Sequence, residues 1–165
     1  ILNVCRIVPE KNLHHLIEAF SQTDTKGCKL VIAGNSDFED DYTRKIKQMA
    51  KEKGVIMTGF IKGKKLHSLL THTRCFVLTS SHEGLPIALL EAMSYHRPVI
   101  ASDIPANLEV GLDKNCYYPC GNIKELASKL TSILHKEPHS VQYNMEKYNW
   151  DIIASKVEEV YNSIQ

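Results

Sequence analysis

Short apolar runs suited to buried strands alternate along this chain with segments whose apolar residues recur at helical spacing, and that alternation restricts the possible folds most. The strand-like runs fall at 1–5, 29–33, 55–58, 75–78, 99–101 and 116–118. Between them, Leu13, Leu16, Ile17 and Phe20 share one helical face, Tyr42, Ile46, Met49 and Ala50 a second over 40–53, and Leu66, Leu69 and Leu70 mark a third. A helix is predicted from Pro86 to about Tyr95. Asn122 with Glu125 makes a capping pair for a helix carrying Leu126, Ala127, Leu130 and Leu134. After Asn149, the residues Ile153, Val157, Val160, Tyr161 and Ile164 repeat at helical spacing, and the stretch 136–149, with Pro138 and little periodicity, reads as a loop before that last helix. Strands that are apolar throughout need cover on both faces, so the pattern predicts an α/β fold with a doubly wound, Rossmann-like parallel sheet. Ligands of such sheets bind beyond the carboxyl ends of the strands, where Arg6, Gly34, Phe60 and the loop 79–83 emerge together.

Length fits one domain: 165 residues can bury a real core. A net charge of +1 with 24% charged residues provides no bulk field for nucleic acid, so any anion must be held locally. No apolar run is long enough to span a bilayer and no leader-like segment opens the chain, which reads as cytoplasmic. The five cysteines, an odd number without paired C-x-x-C spacing, read as reduced thiols, with Cys5 and Cys75 as small buried hydrophobes. Cys116 and Cys120 match no common zinc spacing. No Gly-x-Gly-x-x-Gly follows the first run and no Walker-type Gly-Lys-Ser occurs, so dinucleotide and ATP-hydrolysing readings lose their support. The chain starts at Ile1 inside a strand-like run, which is expected of a domain cut at its boundary.

Residues 80–101 carry the chemistry. Glu83 and Glu91 bracket an apolar run that opens with Gly84, Leu85 and Pro86. Proline suits the first turn of a helix, so Glu83 is predicted on the preceding loop and Glu91 about a turn and a half inside. The first-turn N–H groups and the positive end of the helix dipole attract an anion such as phosphate, and the carboxylates can accept from hydroxyls. Arg6 offers a planar fork at a strand end and Lys11 a point charge at a helix start, a pair suited to a pyrophosphate. The acidic run Glu39, Asp40 and Asp41 fits a helix N-terminus better than a metal site.

This Glu-x7-Glu pattern, with Glu-Gly before the helix and Glu-Ala-Met inside it, resembles the signature of the family 4 retaining glycosyltransferases of GT-B architecture. The segment Asn3 to Asn12 is similar to that family's Gly-Arg-Leu-x-x-x-Lys-Gly, and further landmarks follow in the family's order at Leu30 to Gly34, Thr58 to Phe60 and Pro98 to Asp103. All of them belong to the C-terminal, nucleotide-sugar-binding half. The resemblance implies transfer of a sugar from a UDP-, GDP- or ADP-linked donor to a glycan or lipid-linked acceptor with retention of configuration, and no cofactor or bound metal. The acceptor would be held mainly by an N-terminal domain absent from this sequence, and peripheral membrane association of the full enzyme is compatible. It implies that Arg6 and Lys11 bind the donor diphosphate and neutralise the leaving group. Glu91 would accept from the ribose hydroxyls, and Glu83 would contact the donor sugar. The amides after Glu83 would approach sugar or phosphate, Gly34 with Asn35 would border the nucleotide, and Phe60 with Ile61 would flank the base. The helix after Trp150 would pack across the interdomain hinge. A sugar-phosphate-handling GT-B enzyme and a non-catalytic nucleotide- or glycan-binding module remain open alternatives.

Three positions depart from the family pattern. His96 stands where a glycine usually follows the signature helix, a position expected to need positive φ, and Asn12 likewise replaces a glycine. Residues 104–109, Ile-Pro-Ala-Asn-Leu-Glu, replace a glycine-rich form and have no assigned role beyond Glu109 closing a turn.

Overall fold

The computed structural model describes residues 1–164. All six expected strands form: β1 Leu2–Val4, β2 Val31–Ala33, β3 Ile56–Gly59, β4 Phe76–Leu78, β5 Val99–Ser102 and β6 Tyr117–Tyr118. They make one sheet in the order β3, β2, β1, β4, β5, β6, with every pair parallel. Helices α1 Leu13–Ser21, α2 Asp41–Glu52, α3 Lys64–His72, α4 Ile87–Ser94, α5 Pro105–Leu108, α6 Ile123–His135 and α7 Trp150–Ser163 connect or follow them.

Both sheet faces are covered. Ile32, Val77 and Ile100 point into one core with Leu16 and Ile17 of α1, Ile46 of α2 and Leu130 of α6. Their strand neighbours Phe76, Leu78 and Val99 point into the other, with Leu70 of α3 and Leu89 and Met93 of α4. Such two-sided burial is why β4 and β5 carry no polar alternation, whereas the edge strand β3 leaves Ile56 and Thr58 exposed.

Local chemistry sets several element ends. Asp40 Oδ1 accepts from Thr43 N at 2.7 Å and caps α2, and Asn122 Oδ1 accepts from Glu125 N at 3.0 Å and caps α6. The acidic run thus serves a helix start, and no group of three or more possible metal ligands occurs among the described residues. Asn12 and His96 take φ of 47° and 57°, the left-handed backbone that the replaced glycines implied.

Three features were not foreseen. Within 104–109, Pro105–Leu108 form the single turn α5, which Glu109 closes by donating its N–H to Pro105 O at 2.9 Å. The stretch 136–149 is tied to the body: Val141 N donates to His96 O at 3.0 Å, Tyr143 OH donates to Arg97 O at 2.9 Å, and Tyr143 and Tyr148 pack on the second core. Helix α7 has the expected periodicity, yet none of its residues is buried, and Val160 and Tyr161 lie open. Among the described residues no helix is long and apolar enough to cross a membrane.

Candidate functional site

The strand order reverses direction at β1, whose chain leaves toward β2 on one side while β4 pairs on the other, and this is where a parallel sheet opens a crevice. Here the opening is visible in the pairing: β1 and β4 are in register only at Leu2 and Phe76, whereas β4 and β5 pair over three positions. Beyond Leu2 a side chain replaces the ladder. Asn3, 1% exposed, donates from Nδ2 to Val77 O at 2.8 Å, and its Oδ1 accepts from the Cys5 thiol at 3.1 Å. Burial, opposed in part by Lys11, pushes that thiol up to about 12, so Cys5 is neutral packing beneath the crevice.

Above Asn3, the loops after β1 and β4 are sewn together. Thr79 Oγ1 donates to Lys11 O at 2.7 Å, Asn12 Nδ2 to Thr79 O at 3.3 Å, and Ser81 N to Glu10 O at 2.8 Å. This stitching places Lys11 Nζ 2.6 Å from Glu83 Oε1, with the two side chains only 18% and 10% exposed. Ser80 Oγ donates to the same Glu83 oxygen at 2.6 Å. Both donors converge on one carboxylate oxygen, which fixes the group's orientation. Among the described hydrogen bonds the second oxygen has no partner, leaving it open to an incoming hydroxyl.

At the ends of β1, β2 and β3 lies a cavity of about 600 Å³ lined by Arg6, Gly34, Asn35, Asp37, Phe60 and Ile61 among others, and by Cys5, whose thiol feels the charges of Lys11 and Glu83. Its wall is mostly apolar, and Phe60 is 74% exposed rather than core. Arg6 reaches Asp37 at 3.4 Å with both side chains about two-thirds exposed, a pairing too solvated to hold it firmly. Gly34 is required by the protein itself: at φ +147° a Cβ would sit 1.8 Å from Cys5 O. That close approach lets β2 and its following loop lie against the loop after β1.

The signature helix starts one residue later than predicted. Pro86 takes ψ 68° and becomes the residue before the first turn, with its carbonyl accepting from Leu89 N and Leu90 N. Ile87 N donates to Leu85 O at 2.8 Å, so two of the expected first-turn donors, Ile87 and Leu89, are already bonded within the chain. Leu85 is 56% exposed, and a Cβ on Gly84 would meet nothing within 4 Å. Glu91 is half-buried inside α4, its carboxylate without a hydrogen bond among the described residues. The predicted residues thus fall in three neighbouring groups: the cavity with Arg6, Gly34, Phe60 and Ile61; the paired Lys11 and Glu83; and Gly84, Leu85, Pro86 and Glu91 along the entry to α4.

Sequence reasoning missed the small polar residues between these groups. Asn3, Thr79, Ser80 and Ser102, all at most 1% exposed, have no periodic signature and were absorbed into apolar runs or loops.

A single six-stranded parallel sheet with helices on both faces matches the domains of GT-B glycosyltransferases. The chain belongs to the family described as glycosyl transferases group 1, which matches residues 1–150. It is 29% identical over 161 residues to the lipopolysaccharide 1,6-galactosyltransferase of Salmonella typhimurium, covering 93% of this chain and 42% of that protein. Among solved structures it is similar to a TarM variant from S. aureus in complex with fondaparinux, alpha-GlcNAc-glycerol and UDP, at 26% identity and TM-score 0.81 over 98% of this chain and 35% of that one. It shares the fold of HepE from Anabaena, solved with UDP and glucose, at 21% identity and TM-score 0.86 over 98% of this chain and 48% of that one. The chain spans less than half the length of each of these relatives.

Proposed function

We propose that this chain is the donor-binding half of a family 4, retaining glycosyltransferase that takes a nucleoside diphosphate sugar and serves a glycan or lipid-linked acceptor at the cytoplasmic face of a membrane or in the cytoplasm. The observation that carries the reading is the Lys11–Glu83 pair at 2.6 Å beside a largely apolar cavity bordered by Arg6. An anion, a sugar and a flat base need neighbouring subsites, and this arrangement offers them side by side. The base lies against Phe60 and Ile61 in the cavity. Glu91 accepts from the ribose hydroxyls, since a carboxylate's two oxygens can meet a cis-diol. Arg6 and Lys11 compensate the diphosphate and the charge that develops on it as the sugar departs, so no metal is needed. Glu83 orients the sugar through its free oxygen and stabilises positive charge near the anomeric carbon. The UDP in the TarM and HepE complexes supports the nucleotide assignment.

Calorimetry with UDP, GDP and ADP tests this, and one of them is expected to bind in the presence of a chelator. Glu91→Ala should weaken that binding by about 1–3 kcal/mol, the cost of losing hydrogen bonds to a charged acceptor. Glu83→Gln should leave the bare nucleotide nearly unaffected and lower affinity for the intact donor. The reverse pattern would show that the two carboxylates have been interchanged. No saturable binding of any diphosphate at millimolar concentration by the folded chain rules the reading out.

Catalysis needs donor and acceptor in near-attack geometry, and the groups described here form the donor side only. The chain is therefore expected to bind donor without acceptor-dependent transfer. A radiolabelled-donor assay showing efficient transfer by these 165 residues alone would mean that they hold the acceptor as well.

A further inference from the structure

The segment that departs from the family pattern, residues 104–109, contains a side chain that the donor site as described does not use. Asn107 is wholly buried. Its Nδ2 donates to Ser102 O at 2.9 Å and to Ser102 Oγ at 3.1 Å, while its Oδ1 is buried with no partner. Leaving an amide oxygen unpartnered in the interior is costly, and an apolar residue of similar size would avoid it. The amide cannot be reversed to relieve that cost, because Ser102 O can only accept and must face the NH2 group. What the chain retains there is the pair of donors aimed at Ser102.

Ser102 passes the constraint on. With its Oγ accepting from Asn107, its own hydrogen points at Ser80 O, 2.5 Å away. Ser80 Oγ in turn donates to Glu83 Oε1. Ser80 and Ser102 are, like Asn107, fully buried. The far end is anchored too: Tyr117 OH donates to Asn107 O at 2.9 Å and accepts from Leu112 N at 3.0 Å. The loop after β4 is thus gripped from both flanks, by the Lys11 loop on one side and by this chain from β5 and α5 on the other. The two flanks meet on one peptide: the first holds its Ser81 N–H through Glu10 O, and the second holds its Ser80 carbonyl, which accepts from Ser102 Oγ and, at a longer 3.8 Å, from the Cys120 thiol.

We propose that Ser102 and Asn107 are positioning residues for Glu83, setting through Ser80 the direction of its free carboxylate oxygen and hence the recognition of the donor's sugar rather than of its nucleotide. The assignment of the sugar to Glu83 rests on the donor-site reading above. The relay itself is independent of it.

The test uses Ser102→Ala, which removes one hydroxyl from a small residue, with Asn107→Ser as a second variant. Two measurements are made on folded protein. In hydrogen exchange of the free chain, Ser102→Ala is expected to speed exchange across residues 79–83 about tenfold, the loss of one buried hydrogen bond, with β1 and β2 unchanged. In calorimetry with UDP and UDP-glucose, or the matching pair for whichever nucleotide binds, affinity for the bare nucleotide should stay within about twofold. The extra affinity conferred by the sugar should fall about fivefold to tenfold, and no further in a Glu83→Ala background. A purely structural role would lower both affinities together. Unchanged exchange at 79–83 overturns the relay whether or not any nucleotide binds. A normal sugar contribution in Ser102→Ala, when Glu83→Ala abolishes it, overturns the link to recognition. If Glu83→Ala itself leaves the sugar contribution intact, the failure belongs to the donor-site assignment, and the exchange result still decides the relay.

Discussion

Gly34→Ala is expected to destabilise this domain by about 4 kcal/mol or more, a loss at the extreme of what single substitutions do. The added Cβ would lie 1.8 Å from Cys5 O and 2.9 Å from Cys5 C, inside any permissible contact, and the φ of +147° is itself unfavourable for a residue with a side chain. Neither partner is free to retreat. Cys5 N donates to Ala33 O, Gly34 N to Gly59 O and Ile7 N to Asn35 O, so moving either segment gives up ladder bonds between β1, β2 and β3. For a domain whose whole stability is on the order of 5–15 kcal/mol, this substitution should lower Tm by about 8–16 °C or prevent folding. Gly84→Ala is the control: a Cβ there meets nothing within 4 Å, so stability should change by less than about 0.5 kcal/mol. Denaturant unfolding of the two variants measures both. A Gly34→Ala protein within about 1 kcal/mol of the parent would show that the loops after β1 and β2 are not held as tightly as their hydrogen bonds imply.

The contrast between these two glycines marks where sequence reading ends. Gly34 and Gly84 both stand after strands in family-like motifs, and both were read as lying at the donor, Gly34 bordering the nucleotide and Gly84 among the amides near sugar or phosphate. Only three-dimensional proximity separates them: Gly34 faces Cys5, distant in sequence, and Gly84 faces open space. The fold was legible because its signals are local. Apolar runs, helical spacing, the caps at Asp40 and Asn122 and even the left-handed turns at Asn12 and His96 depend on residues within a few positions of one another. The Asn107–Ser102–Ser80 chain was not legible, because it exists only once β4 and β5 lie side by side, and serines at strand ends carry no period. Helix α7 shows the opposite limit: its apolar face is plain in the sequence, yet what covers such a face is not written in its spacing.

Lys11→Met is expected to cost about 2–4 kcal/mol of stability, and Lys11→Met/Glu83→Gln to recover most of that loss. The reasoning turns on burial. The exposed Arg6–Asp37 pair can be broken with little effect because water screens and replaces each partner. Lys11 and Glu83 retain 18% and 10% of their side-chain exposure, so removing the ammonium leaves a largely buried carboxylate with its charge uncompensated and Ser80 as its remaining donor. Neutralising that carboxylate as well removes the uncompensated charge, while the amide oxygen introduced by Glu83→Gln can still accept from Ser80. The two substitutions should therefore be strongly non-additive, by about 2 kcal/mol or more, in denaturant unfolding. Donor binding should behave differently, because on the proposed reading Lys11 also faces the diphosphate: nucleotide affinity stays low in the double variant although the fold is repaired. That separation of stability from affinity is the informative result. Additive stability losses would mean that the pair is not an energetic unit, and restored nucleotide affinity in the double variant would confine Lys11 to holding Glu83 in place.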